Sequence, residues 1–298
     1  MNKLFGSDIH AGLSGIELTE DSFEMGEGIL LHRTYAHLMA PFMVAFKPAP
    51  SGGHHPAPWK AASGGFSFDV NAELTIPSDL EKRFGSPYGI ARTLVFLLRL
   101  GVNPAITLPV FSNHPFSMMP QVEDNYVNLL PFEVQPRHFP LGIVGGKATT
   151  DSIAWVTERW QVTHKLRKNS EGFSLAVEAL DSGQFVENTA LILVSLWGAL
   201  EALFSPSTSE LRFRVSSLIS SFLESPGTNR AKRQKDIAKL YDKRSAAAHG
   251  KPSHETKHVL LTFNLVREVL IEIINKGHVP TLEELDGMLF GSTEAANS

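Results

Sequence analysis

The hydrophobic pattern of this chain changes period once, near Asp151, and that change limits the folds open to it. Before it, apolar residues roughly alternate, as half-buried strands require. Ile29, Leu31, Tyr35, Leu38, Phe42, Val44 and Phe46 do so within Gly28–Lys47, and Phe66, Phe68, Val70, Leu74 and Ile76 follow. Pro41 is expected to limit the first run, because proline cannot donate to a ladder. Pro48–Gly65, rich in proline and glycine, reads as a loop. Ser86-Pro87 opens a helix over Tyr88–Leu100 that Gly101 ends. Residues 103–148 carry scattered strand signals among Pro, Phe and Val.

After Asp151 the spacing becomes helical. Thr150 or Asp151 caps a helix reaching about Lys168, and a short one covers Gly172–Leu180. A strongly apolar helix, Val186–Phe204, is stopped by Ser205-Pro206. Ser209–Glu224 places Leu211, Val215, Leu218 and Phe222 on one stripe. Ala231–Ala248 turns Ile237, Leu240 and Tyr241 inward and ends at Gly250 and Pro252. Glu255–Asn275 and Thr281–Phe290 complete the pattern, which describes a helical bundle. The expected class is α+β: a mixed α/β region with long loops over 1–150, and a helical region over 151–298 with its bundle core at 186–290.

Charge and composition narrow the function. The chain has 298 residues and a formal charge of −4. Residues 205–258 nevertheless carry eleven Lys and Arg against five Asp and Glu, a local +6 inside an otherwise acidic protein. Such a segment suits a phosphate-bearing partner or, equally, a solvated helix face. The absence of cysteine removes disulfides, thiolate metal sites and cysteine nucleophiles, and fits a reducing cytoplasm. The N-terminus turns polar too soon for a signal peptide. Thr189–Phe204 is too short, and broken by Glu201, to span a bilayer, so no membrane partner is expected.

The residues that carry chemistry lie at Tyr241-Asp242-Lys243-Arg244-Ser245-Ala246-Ala247-Ala248-His249-Gly250. An Arg followed a few residues later by His near a helix end, with Trp197-Gly198-Ala199-Leu200-Glu201-Ala202-Leu203-Phe204 upstream, resembles the HEPN family. It is most similar to the Apea-like branch, in which Ser follows the Arg, as Ser245 does here. The resemblance covers about residues 186–290. It implies a helical bundle, and in the ribonuclease members a site built from Arg and His of two subunits. Arg244 and His249 are then the catalytic candidates, with Glu201, Tyr241, Asp242 and Ser245 in support.

The chemistry is coherent without a metal or cofactor. Attack of a ribose 2′-OH on its own phosphate needs proton transfer, which His can supply near neutral pH. It also needs positive charge on the phosphorane, which Arg provides with paired donors. Five residues span about 140° of helix, so one chain presents the two as neighbours rather than as a tight pair. A buried Glu201 needs a partner, and Arg244 suits it. In the competing assignment Arg244 pairs with Glu201, Asp242 or a helix terminus, and His249 only closes the helix. Arg230, Lys232, Arg233 and Lys235 form a candidate RNA track, or merely an exposed helix start.

Other signals are weaker. Arg159 and His164 repeat the spacing without the context. His54-His55 lacks acidic neighbours for a metal site. Gly142–Lys147 lacks the spacing of a phosphate loop. The expectation is a metal-independent endoribonuclease, homodimeric and acting on RNA, in a bacterial defence or toxin role that the resemblance alone implies. The alternative is a non-catalytic RNA- or nucleotide-binding or protein-interaction module. Residues 1–150 are expected to bind an unidentified trigger ligand or protein and control the helical half, with Pro48–Gly65 as a contact, or else merely to brace the bundle.

Overall fold

The computed structural model describes residues 8–123, 126–138, 146–204, 210–250 and 253–291. The chain divides into two compact units, Met1–Val134 with Gly145–Ala154, and Gln135–Val144 with Trp155–Ser298. Strands belong to the first and a set of helices to the second, which is the α+β class that the change of period predicts.

The first unit is built on β1 (Ile9–Ser14), β2 (Glu17–Leu18), β3 (Ser22–Glu24), β4 (Leu30–Ala45), β5 (Trp59–Ile76), β6 (Thr107–Ser112), β7 (Leu129–Pro131) and β8 (Lys147–Ala148), with helices α1 (Glu81–Phe84) and α2 (Pro87–Gly101). Six strands form one antiparallel sheet in the order β3-β4-β5-β1-β6-β7, and β2 pairs with β8 in parallel. Ile9, Ala11, Leu13, Leu31, Leu74, Ile76 and Phe111 are buried, and the Tyr88 ring of α2 meets Phe111 edge-on at 4.9 Å. On the other side of β1, Gly12 admits Phe116: a Cβ there would lie 2.8 Å from the ring.

That second face holds a sealed carboxylate. Glu73 is fully buried; its Oε1 is 2.7 Å from His10 Nδ1, and its Oε2 accepts the Phe116 amide at 2.8 Å. Burial pushes its carboxyl up, but the His10 hydrogen bond, the Phe116 amide and the charges of His10 and His32 outweigh it and hold the group below its usual range.

The second unit contains most of α3 (Thr150–Asn169), then α4 (Glu171–Gly183), α5 (Thr189–Phe204), α6 (Leu211–Leu223), α7 (Thr228–Ala248), α8 (Thr256–Lys276) and α9 (Leu282–Phe290). α5 touches α4, α6, α7 and α8, and this central place explains why it is apolar on nearly all sides. Thr281 and Glu284 form a capping box on α9. Among the described residues no helix is long and apolar enough to cross a membrane.

Several local expectations are corrected. β4 runs straight through Pro41, because the missing N–H falls at a break in register: Ala40 pairs with Phe66 and Phe42 with Ala62. β5 begins at Trp59, so the last seven residues of the expected Pro48–Gly65 loop are strand. Ser63-Gly64-Gly65 fall in the break of register, and pairing with β4 resumes on either side of them at Ala62 and Phe66. The cap of α3 is Thr149, which exchanges hydrogen bonds with Ser152, rather than Thr150 or Asp151. α5 starts at Thr189 instead of Val186, where Asn188 Oδ1 accepts the amides of Ala190 and Leu191. Ser205-Pro206, Ser209, Pro252 and residues 142–145 lie outside the described residues.

Candidate functional site

Two helices bring the motif residues together. Glu201 stands one turn before the end of α5, and Tyr241 and Arg244 stand three apart on α7, one above the other on the same face. Tyr241 Oη donates to Glu201 Oε1 at 2.9 Å, and Arg244 Nη2 donates to Glu201 Oε2 at 2.9 Å. Trp197, one turn before Glu201, meets the Tyr241 ring edge-on at 5.1 Å. The Arg244 guanidinium lies 5.5 Å from the centroid of the same ring. One carboxylate therefore orients a phenol and a guanidinium with both of its oxygens.

The cluster is half-open. The side chains of Arg244 and Glu201 keep 21% and 18% of their surface exposed. Arg244 Nε and Trp197 Nε1 are buried without a hydrogen-bond partner among the described residues. Burial, then the hydrogen bond and charge of Glu201, push the Tyr241 hydroxyl up to about 12, against a smaller opposing effect of Arg244. Tyr241 thus stays a neutral donor, and the negative charge facing Arg244 is that of Glu201.

His249 follows the last residue of α7. Its amide bonds the Ser245 carbonyl at 3.2 Å, its side chain is exposed, and Gly250 takes a left-handed turn (φ +70°) beyond it. Ser245 is half-buried on the same helix. Asp242 does not join the cluster: it takes a two-pronged pair from Arg212 of α6, at 2.6 and 2.9 Å. Sequence reading missed Arg212, which sits beside the apolar stripe of α6 and carries no motif.

The expected RNA track is divided. Arg230 donates to the Glu224 carbonyl at the end of α6 and to the Met288 carbonyl in α9, both at 2.8 Å. Arg233 pairs with Glu268 of α8. Lys232 and Lys235 are exposed. Arg159 of the second Arg…His spacing is engaged with Asn275 at 2.8 Å and stacks on Trp155. His55 Nδ1 bonds the Lys47 carbonyl at 2.8 Å, and no group of three metal-capable side chains occurs among the described residues.

Comparison of the chain with protein-family models, with curated proteins and with solved structures found no match.

Proposed function

We propose that the chain is a metal-independent endoribonuclease of the HEPN type, in which Arg244 and His249 of two subunits act on one phosphodiester. The observation that carries this reading is the grip of Glu201 on Arg244. It fixes the guanidinium by one nitrogen and leaves further donors, beside a partly exposed surface, for an anionic oxygen. The exposed His249, five residues along the same helix, supplies a group able to move a proton near neutral pH. His249 serves as acid or base, Arg244 carries phosphorane charge, and Glu201 with Tyr241 positions Arg244. RNA is the substrate, with Lys232 and Lys235 left free to meet its backbone. The sheet unit is the regulatory part, and cytoplasmic defence is the setting proposed.

A rival reading draws on the same pair: Arg244, neutralised by Glu201, belongs to a binding module that cuts nothing. Incubating the purified chain with total RNA in EDTA separates the two. Cleavage to products ending in 2′,3′-cyclic phosphate, abolished by His249→Ala and by Arg244→Ala in folded protein, is expected. Full activity in both variants would remove the assignment. RNA binding without cleavage would leave the rival.

A further inference from the structure

Most of the large apolar side chains exposed on the sheet unit lie on one hairpin. β3 pairs with β4 only at residues 30–32, and β1 pairs with β5 only at 72–76. Beyond them β4 and β5 continue as a two-stranded ribbon to Ala45 and Trp59. Ala36, Leu38 and Met119 pack against the buried cluster of Val70, Val110 and Phe116. Further out the cover is lost: Tyr35, Met39, Phe42, Met43, Phe46 and Trp59 are 54–70% exposed. Met43 and Trp59 share one face of the ribbon and the adjacent Phe42 takes the other, so the roughly 800 Å² that these large side chains expose is divided between two faces. A two-stranded ribbon is marginal in water without such cover.

Charge indicates what the cover is. From Gly28 to Phe68 there is no Asp or Glu, and the far end of the ribbon carries exposed Lys47 and Lys60. Residues 17–27, at the near end, hold Glu17, Glu20, Asp21, Glu24 and Glu27 with no Lys or Arg. Of these, Glu20 and Glu24 are exposed and make no ion pair among the described residues. Fifteen residues of strand separate Leu30 from Ala45, roughly 50 Å, so the two patches of one chain cannot meet. Two ribbons laid antiparallel bring each basic tip onto the other's acidic base.

We propose that this ribbon docks a second copy of the chain. Phe42 and Lys60, which share one face of the ribbon, and the tip residues Phe46 and Lys47 cover Leu30, Glu20 and Glu24 of the other base, with the two-fold axis near His37. An anionic lipid surface would engage the tip alone and leave Tyr35 and Met39 in the middle uncovered. Breaks in register at Arg33/Ala36 and at Pro41 disfavour ladder extension along the edge, so the ribbons pack by their faces and close as a pair. The contact involves the sheet unit only and does not depend on the ribonuclease reading.

The test is a charge swap in the full chain, read as mass by sedimentation equilibrium. Lys47→Glu with Lys60→Glu, and separately Glu20→Lys with Glu24→Lys, should each weaken self-association at least about tenfold. An equimolar mixture of the two should restore it, because each tip then faces a base of opposite charge. A further interface elsewhere would not respond to mixing. Because the chain has no cysteine, His37→Cys should crosslink two copies more efficiently than Tyr35→Cys or Met39→Cys. A parent that stays monomeric overturns the proposal, as do unchanged association in both charge variants and failure of the mixture to recover. A monomeric parent that sediments with vesicles of phosphatidylcholine and phosphatidylserine would assign the tip to lipid instead.

Discussion

Each unit of this protein holds a carboxylate between two hydrogen-bonding partners, and the two are treated differently. Glu73 in the sheet is sealed, and its oxygens accept from His10 and from the Phe116 amide. Glu201 in the bundle satisfies Tyr241 and Arg244 but leaves the guanidinium with donors to spare and a path to solvent. A closed network holds a fold in one arrangement, whereas a half-satisfied one at the surface is a place for something else to bind. The contrast separates a structural cluster from a candidate site without reference to any motif.

The sharpest way to break the contrast is to remove each carboxylate. Glu73→Ala leaves the Phe116 amide buried without its acceptor and His10 with only the Thr75 hydroxyl, and should cost about 3–5 kcal/mol, read by urea unfolding. A loss below about 1 kcal/mol would mean that Glu73 is no more structural than a surface residue. Glu201→Gln keeps an acceptor for Tyr241 and should leave the unfolding midpoint nearly unchanged. If the ribonuclease reading holds, cleavage should fall about tenfold to a hundredfold as Arg244 loses its anchor.

Acid and alkali should sharpen the same comparison. Glu73 is depressed in the folded state, so its contribution is present above the usual 4.5 and is lost as pH falls through the lower folded value. Tyr241 is raised, so its contribution is complete below 10 and is lost as pH climbs from 10 to about 12. Glu73 should therefore add a loss in acid to the sheet unit, and Tyr241 a loss of about 2–3 kcal/mol in strong alkali to the bundle. Tyr241→Phe should flatten the alkaline slope, as measured by circular dichroism melts. Smaller again, Arg230→Ala should cost about 1–2 kcal/mol by freeing two carbonyls. Lys232→Ala with Lys235→Ala should leave stability within about 0.5 kcal/mol and, if the ribonuclease reading holds, weaken RNA binding in a salt-dependent way.

The two units also differed in how readily their sequences could be read. Helical periodicity is local, so α5 to α9 were legible to within a few residues, and Glu201 stood out as a charge in an apolar helix. The sheet depends on partners far apart in sequence. β1 was not anticipated because Ile9–Ser14 is short and contains Gly12, yet it lies in the middle of the sheet. The His10–Glu73 contact joins residues 63 apart through strand register alone. A single Glu inside the alternation from Val70 to Ile76 was the available signal, and it went unused. Within the bundle, charge counting could not show that Arg230 and Arg233 already have partners, since only packing decides where a guanidinium points.

Helix α7 reads out in several directions: Arg230 to the α6 and α9 carbonyls, Arg233 to α8, Tyr241 and Arg244 to α5. Adding or deleting one residue anywhere between them turns the downstream part by about 100° and slides it by about 1.5 Å. In a library of coding variants this stretch should therefore tolerate many substitutions at Lys232, Lys235 and Lys239 yet reject nearly every single-codon insertion or deletion. Its heredity is written in phase as much as in identity.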